Sequence, residues 1–302
     1  MPAVSSSSTS GWLRLIRPPN LITVPGDPLA GFLLAIAAGH QRSYTCIIPA
    51  IAISLLLYIA GLISNDYFDC KEDSADRPDR PIPSGSVSPP AALIASLICA
   101  ALAIALAFSI DIPTGITASL LALLITLYNA VTKRHPLLGS LTMGACRGFS
   151  LLVGAVAAGW HPAGIDAILV ASIGLTLYIT AVTSLAFRET ETTTMRIRRW
   201  LPSLAMLLCV AALFLLQSFQ NKALLILALP SFIWPCYLAI KLGSRPQPHI
   251  LIPSIGAFIR GLLLIQAAFA ITLYPTGFLP AAGLILLGWP LNVYLAKWFY
   301  SS

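Results

Sequence analysis

The chain has 302 residues, is 57% hydrophobic and only 10% charged, and has a mean hydropathy of +0.85. Soluble domains carry about 25% charged residues, so this composition excludes a soluble globular protein and an intrinsically disordered one. The formal net charge of +7 would suit nucleic acid in a soluble protein, but its distribution, given below, excludes nucleic acid as a partner.

Residues 1–10 are Ser-rich and are expected to be disordered. They lack Arg, so they do not read as a transit peptide, and no cleavable signal is evident. Apolar windows then predict spans near 20–39, 44–64, 90–110, 113–131, 138–158, 164–187, 201–217, 222–241, 252–273 and 279–298, each close to the roughly 20 residues a bilayer requires. The expected fold is all-α, a polytopic transmembrane bundle of nine to ten spans. Residues 1–19 would form a cytoplasmic N-terminal segment and 20–300 a single transmembrane domain. Longer loops are expected at 65–89, 188–200 and 242–251.

With the N-terminus inside, fourteen of the eighteen Lys and Arg residues fall in inside segments, and only Arg42 and Lys222 fall outside. Arg147 and Arg260 lie within spans. The positive-inside rule therefore accounts for the basic balance. The expected location is a bacterial-type inner membrane, with the functional face toward the cytoplasm. The six cysteines are scattered without Cys-x-x-Cys spacing, so neither a disulfide framework nor a zinc site is suggested.

The segment after the second span is the densest in chemistry. Six of the eleven acidic residues lie in it: Asp66, Asp69, Glu72, Asp73, Asp76 and Asp79. On a helix, Asn65, Asp66, Asp69 and Asp73 fall within an arc of roughly 100°. Carboxylates stacked at four-residue steps repel one another. A divalent cation relieves that repulsion, and an all-oxygen donor set suits Mg²⁺. The competing reading is a solvated acidic loop. After the fourth span, Lys133 and Arg134 offer a point charge and a fork suited to phosphate, although a basic pair at a span end also serves as a topology anchor. Charges within spans are functional suspects. Asp27, Arg147 and Arg260 are each expected about 10–15 Å deep at 1.5 Å per residue, lining a cavity that opens toward the acidic segment. A buried ion pair of Asp27 with either arginine is the structural alternative. None of the four histidines is assigned to catalysis.

The run Asn65-Asp66-x-x-Asp69-x-x-x-Asp73, followed by Arg77-Pro78-Asp79-Arg80-Pro81-Ile82-Pro83-Ser84-Gly85, resembles the first signature of the UbiA superfamily of intramembrane prenyltransferases. Tyr128-x-x-x-x-Lys133-Arg134 and Arg17-Pro18-Pro19-Asn20 are also similar to that family. The resemblance implies Mg²⁺ held by Asn65, Asp66, Asp69 and Asp73 against the diphosphate of a prenyl donor. It implies catalytic roles for Asp66, Asp69 and Lys133, and substrate binding by Asn20, Arg80 and Arg134. Arg147 and Arg260 are added as substrate-binding candidates because two intramembrane arginines against one aspartate leave positive charge for an anionic ligand. Tyr67, Phe68 and Tyr128 are candidates to stabilise an allylic cation. The partners implied are a prenyl diphosphate donor, an aromatic or lipid-like acceptor, and membrane lipid.

The family's second motif, Asp-x-x-x-Asp, is replaced here by a segment without Asp. Glu189 and Glu191 are its only carboxylates and become candidate metal ligands. The run Met143-Gly144-Ala145-Cys146-Arg147-Gly148 resembles a divergent EboC-like branch, except that Phe149-Ser150 stands where that branch has Leu-Asn. The activity implied is Mg²⁺-dependent transfer of a prenyl group from a prenyl diphosphate to an aromatic or other small acceptor. The alternative is a non-catalytic UbiA-like protein that binds or transports an isoprenoid, lipid or pathway intermediate. A secondary transporter fits the interrupted stretch Val24-Pro25-Gly26-Asp27-Pro28 but leaves the acidic segment unexplained.

Overall fold

The computed structural model describes residues 8–40, 42–187, 194–216, 225–272 and 279–299. Glu189 and Glu191, the candidate ligands of the second motif, lie outside the described residues, as does the Ser-rich stretch 1–7. Ser8–Ser10, expected to lack order, instead begin the first helix.

The described residues form twelve helices and no strand: α1 (Ser8–Ile16), α2 (Pro18–Leu21), α3 (Gly26–Ala37), α4 (Ile47–Asp76), α5 (Pro89–Ile110), α6 (Ile112–Ala130), α7 (Pro136–Ala157), α8 (Ala167–Ala186), α9 (Leu201–Leu215), α10 (Leu225–Leu242), α11 (Pro248–Thr272) and α12 (Leu279–Phe299). Among the described residues, nine helical segments are long and apolar enough to cross a membrane, and a tenth, Ala228–Leu242, is apolar but shorter. In hydrocarbon every backbone donor and acceptor needs an internal partner, which confines spanning segments of such a chain to helices. Helix starts follow from local chemistry. The Ser88, Asp111 and Asp166 side chains accept from the backbone N–H three residues on and so cap α5, α6 and α8. Proline at the first turn of α5, α6, α7 and α9 occupies positions whose N–H has no helical partner.

One boundary departs from expectation. The stretch from residue 65, expected as loop, continues α4 as helix to Asp76. Hydropathy ends at the membrane surface, but the hydrogen-bond ladder does not. It stops only at Arg77, whose successor Pro78 disfavours helical backbone in the residue before it.

Packing is by small residues. α5 buries Ala92, Ser96, Ala103 and Ala107 against the bundle and exposes Ile94, Leu97, Ile98 and Leu102. That is the inverse of a soluble helix, and it suits lipid as solvent. Ser96 Oγ donates to Ala60 O at 2.9 Å, joining α5 to α4. α7 is the central helix and contacts α3, α4, α6 and α8. At its crossing with α3, a Cβ on Gly31 would lie 2.0 Å from Leu151 O, and one on Gly154 1.9 Å from Pro28 O. The backbones touch because neither glycine has a side chain.

Gly154→Ala should therefore force α3 off α7 and destabilise the fold by about 1–3 kcal/mol, the usual range for overpacking. Gly283→Ala in α12, where nothing lies within 4 Å, is the control and should be neutral or slightly stabilising. Thermal unfolding of the detergent-purified protein compares the two. Equal midpoints would show that the α3–α7 crossing tolerates separation.

Candidate active site

The end of α4 presents Asn65, Asp66, Asp69 and Asp73 inward, with Asp66 and Asp73 buried. Glu72, Asp76 and Asp79 are exposed. The sequence that follows is a turn whose geometry explains its composition. Arg80 N bonds to Arg77 O, Ser84 N to Arg80 O, and Val87 N to Pro81 O. Gly85 takes φ +77°, a conformation natural to glycine. Ile82 and Val87 pack into a small core with Leu15, Ile63 and Ala92. The turn carries Arg80 back onto the helix it has just left, where Nη1 reaches Asp73 Oδ2 at 2.6 Å and Asp66 Oδ1 at 3.7 Å.

Two further cations arrive from elsewhere. Arg17, between α1 and α2, pairs with Asp66. Its φ of +44° is the one positive value at a non-glycine among the described residues. The strain is localised where the side chain meets a buried carboxylate, a common signature of functional sites. Lys133 sits in the short 3₁₀ turn Thr132–Arg134 between α6 and α7 and pairs with Asp69. Its position depends on Asn129, whose Nδ2 donates to Gly61 O at 2.9 Å and Ser64 Oγ at 2.7 Å on α4. Those two hydrogen bonds, one to a backbone carbonyl and one to a side-chain hydroxyl, fix the register of α6 against α4.

Below this cluster lies a cavity of about 200 Å³. Arg17, Asn65 and Asn129 stand at its upper end, and Leu57, Leu121, Ile125 and Met143 are among its apolar walls. From Asn65 to Ser54, both lining α4 residues, the helix descends about 16 Å at 1.5 Å per residue. The floor is polar: Ser54, Arg147 and Ser150 reach it, with the Tyr58 ring on the wall above. The Ser54 hydroxyl is buried and has no hydrogen-bond partner among the described residues, and the Ser150 side chain lies beside Asp27, whereas Ser140, Thr142 and Thr176 each donate to the carbonyl four residues back.

Arg147 is held from beneath. Its Nε lies 2.9 Å from Asp27 Oδ2, and Nη2 donates to Thr23 O at 2.8 Å. Gln266 Nε2 donates to the same carbonyl at 2.7 Å and to Asp27 Oδ1 at 2.6 Å. Thr23 O is available because the helix start is broken: Asp27 N bonds to Val24 O rather than to the carbonyl four residues back. The interrupted stretch 23–28 thus supplies an acceptor for a buried network linking α3, α7 and α11.

Of the expected site residues, the structure brings together Asn65, Asp66, Asp69, Asp73, Arg80 and Lys133, with Arg147 at the cavity floor. Arg134 is exposed, with no ion pair among the described residues. Asn20 lies half-buried in α2. Arg260 was expected to share the cavity with Arg147, but it lines a separate cleft between α10, α11 and α12. The reason is rotational. Arg260 and Gln266 are six residues apart on α11, about 240° around the helix, and Gln266 faces Asp27. Of the aromatics, Tyr128 lines the cavity, Phe68 is exposed, and Tyr67 packs in the Leu15 core. The residues that sequence reading passed over are Arg17, Tyr58, Asn129 and Gln266. The Arg-Pro-Pro-Asn pattern was the available signal for Arg17, and the intramembrane carboxylate of Asp27 was the signal for a hydrogen-bonding partner such as Gln266.

This arrangement of a charge-paired acidic helix end above an apolar cavity can be set beside known proteins. Residues 28–250 match the UbiA prenyltransferase family. The chain belongs to that family. A digeranylgeranylglyceryl phosphate synthase of Methanothrix thermoacetophila is 34% identical over 159 residues, covering 52% of this chain and 57% of that protein. The synthase of that name from Methanoregula boonei is 35% identical over 164 residues, covering 54% and 57%. The chain thus spans little more than half the length of the curated relatives it matches. Among solved structures, a digeranylgeranylglyceryl phosphate synthase superposes with a TM-score of 0.63 at 21% identity, over 88% of this chain and 98% of that one. A UbiA homolog from Archaeoglobus fulgidus, solved with DMAPP and Mg²⁺, gives 0.56 at 13% identity, over 87% and 100%. These likenesses establish a UbiA-type transmembrane bundle. They do not bear on the EboC-like branch.

Within the UbiA fold, the Met143–Gly148 run now has a physical reading. Gly144 and Gly148 let α7 touch the α8 backbone, since a Cβ on Gly144 would lie 2.3 Å from Thr176 O. Arg147 projects to Asp27. Asp27→Asn should destabilise the protein by about 3–5 kcal/mol, because it leaves a buried guanidinium uncompensated. Arg147→Met should do the same to the carboxylate, and the double variant should recover most of the loss. Thermal unfolding of the four proteins tests this, and strict additivity would show that the two groups do not act as a pair.

Proposed function

We propose that this protein is a Mg²⁺-dependent membrane prenyltransferase, transferring a prenyl group from a prenyl diphosphate to a lipid-like or other small acceptor. The reading rests on one observation. Three carboxylates on one helix face, Asp66, Asp69 and Asp73, are matched by three cations, Arg17, Arg80 and Lys133, above an apolar cavity. Such a cluster is close to neutral. It attracts a polyanionic diphosphate only if the diphosphate brings its own cations.

The donor set is all oxygen, which suits Mg²⁺. Mg²⁺ is usually held by one or two carboxylates plus substrate phosphates rather than by a protein cage, and among the described residues no three acidic, His or Cys side chains converge on one point. Asn65, Asp66, Asp69 and Asp73 are the candidate ligands, one or two of which would hold a given ion; when bound it would neutralise the diphosphate and improve the leaving group. Arg17, Arg80 and Lys133 are placed to exchange their carboxylate partners for phosphate oxygens, with Arg80 as a fork and Lys133 as a point charge. The prenyl tail descends past Leu57 and Leu121. Tyr58 and Tyr128 line the same cavity and are the aromatic candidates to stabilise positive charge on the reacting carbon. The bond broken is carbon to diphosphate oxygen, and the bond formed is carbon to the acceptor nucleophile, whose proton is released.

The relatives named for a glyceryl phosphate product favour a lipid-like acceptor over an aromatic one. Residues 20–300 are read as one domain, with the site on the cytoplasmic side of a bacterial-type inner membrane. The loop charges support that sidedness. The EboC-like assignment rests on the Met143–Gly148 run together with the Arg-Glu-containing segment at the second motif. Binding without turnover is the second reading, favoured by the lack of Asp in residues 187–196.

The test is diphosphate release by lipid-reconstituted protein given C10 to C20 prenyl diphosphates. Release should require Mg²⁺ and should fall by about 10²–10³-fold in Asp69→Ala and in Lys133→Ala, the scale typical of losing one group that stabilises developing charge. Mg²⁺-dependent binding of inorganic diphosphate, followed by calorimetry, should weaken in the same variants. Tight donor binding with no release, even with cell extract as acceptor source, would establish the binding-only reading.

A further inference from the structure

We propose that the cleft between α10, α11 and α12 binds the phosphate headgroup of an anionic membrane lipid, with an acyl chain in the apolar groove beside Trp234. The cleft is about 510 Å³ and carries Lys241, His249 and Arg260 with an aromatic wall of Trp234, Tyr237 and Trp289. Lys241 ends α10 and His249 lies in the first turn of α11. Both are exposed at the mouth. The N-terminus of α11 adds its partial positive charge at the same place. Arg260 enters from below. Its Nη1 lies 3.9 Å from where a Gly256 Cβ would be, so the guanidinium reaches one turn back toward the mouth over a residue with no side chain. A point charge, a protonatable ring and a fork thus face one volume, the arrangement that recognises phosphate.

The second observation concerns the tail. A groove of about 350 Å³, lined by Pro230, Ile233 and Leu264, shares Trp234 and Tyr237 with the cleft. Ile233 and Tyr237 are 56% and 51% exposed, so the groove opens to the bilayer. The wall between head and tail is rigid. Trp234 Nε1 donates to Ala257 O at 3.0 Å, and its ring meets Trp289 edge-on at 4.9 Å. A charged pocket that continues into a lipid-facing apolar groove fits an amphiphile better than free phosphate. The cleft shares no lining residue with the donor cavity. Six of its twelve lining residues, from Pro253 onward, also lie beyond the family match, which ends at residue 250. The proposal therefore stands apart from the prenyl-transfer reading.

Lipid retention by the detergent-purified full chain, read by native mass spectrometry and by the unfolding midpoint, tests it. The probes are phosphatidylglycerol, phosphatidylcholine and inorganic phosphate. Phosphatidylglycerol should bind at least tenfold more tightly than phosphatidylcholine and raise the midpoint, and millimolar phosphate should not reproduce the effect. Arg260→Gln should abolish the preference. Because that residue lies within the bundle, Lys241→Gln/His249→Gln, altering two exposed side chains, provides the second arm and should reduce the preference severalfold. Equal binding of the two lipids, unchanged preference in both variants, or full reproduction by inorganic phosphate would each overturn the proposal.

Discussion

Like charges stacked at four-residue steps on one helix face are unfavourable in water and worse at the edge of a membrane, where the surroundings screen them little. The end of α4 carries three such carboxylates, two of them buried. Their tolerance in the described structure depends on cations delivered by three different segments. Each delivery requires its own local construction. Arg80 needs the Pro-rich turn closed by Gly85, Arg17 needs a strained backbone, and Lys133 needs the Asn129 bond that registers α6 on α4. The polar site is thus a product of the whole architecture at this end of the bundle, although its carboxylates lie close together in sequence.

Deeper in the bundle the same electrostatic pressure is met differently. Arg147 and Asp27 have little solvent to share, so each relies on the other, on Gln266, and on a carbonyl exposed by an irregular helix start. Buried ion pairs of this kind contribute little net stability compared with an apolar substitute, yet breaking one member is costly. Their value here is placement. They hold a cationic edge at the floor of a cavity whose walls are otherwise largely apolar.

The spans were legible because lipid selects apolar length, and the helical windows agree with hydropathy to within a few residues. The acidic face was legible because helical geometry turns a four-residue step into one surface. What could not be read was azimuth. Arg147 and Arg260 have similar depth, which sequence gives, but they face different volumes, which depends on how α11 is rotated against α3 and α10. The length of α4 was missed for a related reason: hydropathy reports where the membrane stops, and Asp, Lys and Glu can continue a helix already nucleated. Arg17 was visible in a motif, but its reach to Asp66 depends on a left-handed backbone that no propensity suggests.

The balanced charge at the mouth also limits what can decide specificity. If a diphosphate enters as proposed, Arg17, Arg80 and Lys133 would exchange carboxylate oxygens for phosphate oxygens; ion pairs would be traded for ion pairs, and the net electrostatic gain would be small compared with either interaction alone. That exchange is open to any diphosphate, so discrimination between occupants would have to arise below the mouth, where the walls are apolar. At the floor an apolar chain end would meet the Ser54 hydroxyl and the guanidinium of Arg147, and covering them with hydrocarbon would cost free energy with no hydrogen bond in return.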